Sequence, residues 1–80
     1  MSVKLTLYTR TGCHLCEDME QALPGLAAEL NFRTEIIPID NNAELEQIYG
    51  SKVPVLTNGD DIICEYFLDR TALLNAIAHR

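Results

Sequence analysis

Eighty residues suffice for one small domain, residues 1–80, and leave no room for a second. Nearly half the chain is apolar (48%), which argues against disorder, yet no run approaches the roughly 20 apolar residues of a membrane span. The net charge is −6 and the six basic residues (Lys4, Arg10, Arg33, Lys52, Arg70, Arg80) are scattered, so neither nucleic acid nor an anionic membrane is an expected partner.

Val3, Leu5 and Leu7 alternate with Lys4, Thr6 and Tyr8, which predicts a strand over 3–9. Leu15, Met19, Ala22, Leu23, Leu26 and Leu30 then recur at three and four residues, which predicts a helix from Cys13 to about Leu30. Pro24 removes one helical hydrogen bond, so a kink or short break is expected near residues 21–23. Asn31 is the expected stop. Phe32 to Ile39 reads as a second strand, ended by Asp40, which is expected to help cap the next helix. Asn41 and Asn42 offer caps for a short helix over Ala43–Tyr49, with Asn41 and Glu44 spaced as a capping box. Gly50 suits its end.

A third strand is expected over Val53–Thr57, with the proline near its start that a central strand rarely tolerates. Asn58-Gly59-Asp60-Asp61 reads as a hairpin turn, and Ile62–Tyr66 as a fourth strand. Strict alternation puts Ile62, Cys64 and Tyr66 on one face of it. Asp69 can cap a last helix whose Leu73, Leu74 and Ile77 face the core. The order is β-α-β-α-β-β-α: an α/β chain whose first two strands are parallel and last two antiparallel. It predicts a four-stranded mixed sheet with helices on both faces.

The chemistry is concentrated where the first strand hands over to the first helix, at Gly12-Cys13-His14-Leu15-Cys16. A thiolate is the reactive form of cysteine, and unpaired N–H groups at a helix N-terminus favour negative charge. Cys13 is therefore expected to be the exposed nucleophile with a lowered pKa. Cys16, one turn deeper, can close a disulfide with it. Arg10 and protonated His14 favour the thiolate, whereas Glu17 and Asp18 oppose it. Cys64 reads as a small buried hydrophobe. A zinc site would need His14, Cys64 or His79 to complete it. Three cysteines suit a reducing compartment, and the N-terminus carries no secretory apolar region, so the cytoplasm is expected.

Three separated features carry a resemblance: Tyr8-x-Arg10-x-Gly12-Cys13-x-x-Cys16, then Tyr49-Gly50-x-Lys52-Val53-Pro54-Val55, then the Asn58-Gly59 turn before a closing helix. Together they resemble a glutaredoxin-like protein of the thioredoxin superfamily. The resemblance implies a thioredoxin-like fold and thiol-disulfide oxidoreductase activity on protein or small-molecule disulfides, with Cys13 and Cys16 catalytic. It implies a cis Val53-Pro54 bond beside the cysteine turn, with the Val53-Pro54 backbone and Arg10 meeting substrate; His14, between the cysteines, is expected to join them. Its cofactor is the redox disulfide alone, and its reductant is glutathione or a thioredoxin reductase. The chain is expected to act as a monomer. His14-Leu15 replaces the usual Pro-Tyr, and Lys52 the usual Thr. Cys64-Glu65-Tyr66 stand where a glutathione-binding Gly-Gly-Asp would be, which predicts poor use of glutathione. The alternatives are a metal or iron-sulfur module built on Cys13, and a non-catalytic adaptor.

Overall fold

The computed structural model describes residues 3–78. Strands β1 (Val3–Thr9), β2 (Phe32–Pro38), β3 (Val55–Asn58) and β4 (Asp61–Glu65) form one sheet in the order β2-β1-β3-β4. Helix α1 (His14–Leu30) joins β1 to β2, which pair in parallel. Helix α2 (Ala43–Tyr49) leads from β2 toward β3, and α3 (Arg70–Ala78) follows β4. β3 is antiparallel to both β1 and β4. No described helix is long and apolar enough to cross a membrane.

Leu5 and Leu7 of the central strand are fully buried, as are Leu56 and Leu73. They meet Met19, Leu23 and Leu26 of α1 and Phe32 of β2 in one core. Thus α1 and α3 share a face of the sheet. Tyr8 points the other way, where Tyr49 of α2 stacks on it with ring centroids 4.3 Å apart. The helices therefore cover both faces, the second one thinly, because α2 buries no residue fully.

Several expected boundaries and faces differ. Helix α1 runs through Pro24 as one element, without a break. The proline lies on the exposed face, where the carbonyl it leaves unpaired can meet water. Ala22 is exposed and Cys16 takes its place on the core face. Strand β3 begins at Val55, because Pro54 has no N–H to give a ladder. A register shift between Leu56 and Thr57 pairs them with Cys64 and Ile62, leaving Ile63 as an extra residue. That bulge breaks the alternation: Ile62 is exposed and Cys64 is buried. Tyr66 lies beyond β4, with φ +64. In α3, Leu73 faces the core and Ile77 packs against it, but Leu74 is exposed. The cap of α2 is Asn42, whose side chain accepts from the Leu45 N–H at 3.0 Å. Asn41 instead takes a left-handed conformation, so no capping box forms with Glu44. Asp69 caps α3 through the Ala72 N–H, as its spacing predicts. Asn31 ends α1 in the left-handed conformation.

Candidate functional site

Parallel pairing of β1 and β2 ends at Thr9 and Pro38. Two residues beyond, the chains still run side by side, and Asp40 accepts from the Thr11 N–H at 3.0 Å and the Thr11 hydroxyl at 2.9 Å. These bonds favour the carboxylate, so the Asp40 pKa is held below its ordinary value. The expectation that Asp40 caps α2 is therefore corrected: it anchors the turn that carries the cysteines. Gly12, with φ +77, reverses the chain just ahead of Cys13, a conformation glycine adopts freely.

Cys13 is the N-cap of α1. Its extended backbone (φ −97, ψ 111) aims the sulfur back at the helix start, where it accepts from the Cys16 N–H at 3.0 Å. An N–H that would otherwise lack a partner is thus directed at Cys13 Sγ. Cys16 Sγ is bonded to it in a disulfide, with Cα atoms 5.1 Å apart. The two sulfurs are not equivalent. Cys13 is half-buried, whereas Cys16 lies in the core at 1% exposure. Leu15 is half-buried against the side of this turn.

His14 projects into solvent at 96% side-chain exposure, with Nδ1 3.9 Å from Glu17 Oε2. Arg10 turns to α2: Nη1 pairs with Glu46 at 2.8 Å and Nη2 donates to the Gly50 carbonyl at 3.0 Å. A Cβ on Gly50 would overlap the Glu46 carbonyl oxygen and sit 3.3 Å from Arg10 Nη2. Gly50 is right-handed, so the reason for glycine is this close approach rather than a left-handed cap. The Val53-Pro54 peptide is cis. Antiparallel pairing of Tyr8 with Val55 puts it beside the end of β1, from which the cysteine turn departs.

Tyr66 ties the site's far side. Its N–H donates to the Pro54 carbonyl at 2.9 Å and its hydroxyl to the Ser51 carbonyl. A bulky residue at φ +64 persists only where its surroundings hold it. The bulge hid this role, because unbroken alternation would have kept Tyr66 in the strand. Cys64 is buried at 8% exposure, and burial raises its thiol pKa. Among the described residues, no three or more His, Cys, Asp or Glu side chains come together to hold a metal. His79 lies outside the described residues.

The fold and the cysteine pair at the head of α1 define a thioredoxin-like domain. The chain belongs to the glutaredoxin-like domain family (DUF836), which it matches over residues 4–78. It is similar to the solution structure of protein Ne2328 from Nitrosomonas europaea. That match has a TM-score of 0.83 and 41% identity, over 95% of this chain and 92% of that one. It is also similar to protein XcR50 from X. campestris, with a TM-score of 0.71 and 31% identity, over 95% and 97% of the two chains. Likeness to the germline-specific thioredoxin Deadhead from Drosophila melanogaster (TM-score 0.55, 20% identity, 96% and 79% covered) concerns the fold alone. Among curated proteins none matches.

Proposed function

We propose that the chain is a dithiol oxidoreductase that reduces protein or small-molecule disulfides. The observation that carries this reading is the inequality of the two sulfurs. Cys13 is accessible and faces a helix N–H, whereas Cys16 is buried behind it. The Cys13 thiolate attacks one sulfur of the substrate disulfide, and the other leaves as a thiolate that takes a proton. Cys16 then loses its proton and attacks Cys13 Sγ, which releases the second substrate thiol. Two electrons pass from the pair to the substrate, and the pair ends as a disulfide. The Cys16 N–H stabilises the Cys13 thiolate before attack and as it is expelled from the mixed disulfide. Val53-Pro54 would meet the substrate backbone. His14 would act on the thiolate only as a solvated charge.

The electrons come from a protein reductant of the thioredoxin reductase kind rather than from glutathione. Two observations support this. Arg10 and Lys52, the cations that could meet glutathione carboxylates, already face Glu46 and Glu65. Tyr66, with Cys64 and Glu65, also puts side chains where the resemblance has glutathione-binding glycines. A reducing compartment such as the cytoplasm would keep the pair in the dithiol form that this reaction starts from. A metal on Cys13 and Cys16 would draw its remaining ligands from outside the described residues. The test is to reduce the Cys13–Cys16 disulfide with glutathione plus its reductase, and separately with thioredoxin reductase and its nicotinamide donor. The second system should be faster, and rapid turnover by the first would overturn the choice of reductant.

A further inference from the structure

A small apolar pocket adjoins the cysteine turn. Leu15, Met19 and Ala22 of α1 form one wall and Tyr66 and Phe67 the other, with Asp18 its single charged lining residue. Its volume is about 200 Å³. That lies below the roughly 300 Å³ at which ligand pockets begin, so it fits one side chain rather than a whole cofactor. Phe67 stands on its rim at 69% exposure, although burying it elsewhere would have helped the fold. The corner that presents Phe67 is held by the Tyr66 contacts to Ser51 and Pro54 and by the Phe67 N–H, which donates to the Glu65 carbonyl at 2.6 Å. An exposed aromatic side chain on a hydrogen-bonded backbone corner, next to the cysteine turn, is what a recognition pocket requires.

We propose that this pocket receives a large apolar side chain of a polypeptide substrate, carried within a few residues of the cysteine that Cys13 attacks. Leu15 directly precedes Cys16 and follows Cys13 by two residues, so the pocket wall begins within the cysteine turn itself. Asp18 on the wall, with Glu17 beside it in the chain, favours basic flanks on that polypeptide. The proposal rests on Cys13 being the attacking thiol. Binding in the pocket holds the substrate disulfide against Cys13 Sγ. A Cys13–substrate bond then forms, the substrate disulfide breaks, and the departing thiolate takes a proton from solvent.

The test uses full-length protein with Cys16→Ser, which stops at the mixed disulfide. Two basic peptides compete for it, each disulfide-bonded to mercaptoethanol, differing only in Phe or Ser two residues from the cysteine. Mass spectrometry counts the adducts, corrected for each peptide's rate with free cysteine. The Phe peptide should be trapped about tenfold faster. Adding Phe67→Ser should bring the ratio close to one, and at this exposed position the change should leave the fold intact. Equal trapping, or a preference that survives Phe67→Ser, overturns the pocket alone. A mercaptoethanol adduct on Cys13 with no peptide adduct overturns the pocket, and no adduct of any kind overturns the attacking role of Cys13 and the pocket with it.

Discussion

Replacing Tyr66 separates its backbone cost from its side-chain role. Tyr66 sits at φ +64, where an L residue costs about 1–2 kcal/mol more than glycine. Tyr66→Ala and Tyr66→Gly both lose the hydroxyl bond to Ser51 and the ring's packing, so those losses cancel between them. What remains is relief of the left-handed cost, less about 0.5–1 kcal/mol for glycine's freedom in the unfolded chain. Tyr66→Gly should therefore be about 1 kcal/mol more stable than Tyr66→Ala. In a domain of this size that is about 4–8 °C in Tm, read by thermal unfolding of the two variants side by side. The same change opens the corner beside the cysteine pair, so Tyr66→Gly should also gain glutathione-driven turnover over the unaltered protein. Equal stability, or a more stable Ala variant, would refute a left-handed Tyr66. A Gly variant that gains no glutathione turnover would refute its role in excluding the tripeptide.

Two further outcomes follow from the titrating groups. Asp40 has a folded pKa below its ordinary 3.8, so its contribution is fully present above that value and is lost as pH falls through the lowered one. Acid unfolding of Asp40→Asn should consequently show a shallower decline below about pH 3.8 than the unaltered protein. Cys64 has a raised pKa and is buried, so in the reduced native protein at pH 7.5 iodoacetamide should label Cys13 and spare Cys64. Equal labelling of the two would contradict the burial of Cys64.

Much of this fold is legible in residue order. Alternation over Val3–Thr9, a glycine, two cysteines and a helical period specify the strand–turn–helix unit. Val53-Pro54 and Asn58-Gly59 bound the third strand from either side. The residues that escaped are those whose roles depend on register. Asp40 reaches Thr11 only because β1 and β2 end together, so a helix-cap reading was the natural one for an Asp before Asn-Asn. A single extra residue, Ile63, shifts β4 and takes Tyr66 out of the strand, and no local signal in Ile62-Ile63-Cys64 marks it. Leu74 fits the apolar spacing of α3 equally well, yet a nine-residue helix over a small core buries only Leu73 fully. Arg10 reads as a cation beside the thiol, but its partners lie on α2, about forty residues away in sequence.

The central claim is that Cys13 attacks and Cys16 resolves. It is tested most directly by mixing a disulfide substrate with the reduced Cys16→Ser and Cys13→Ser proteins and weighing the products. The Cys16→Ser protein should accumulate one covalent substrate adduct on Cys13, and the Cys13→Ser protein should form none. An adduct on Cys16 in the Cys13→Ser protein, formed as fast as that on Cys13, would contradict the account.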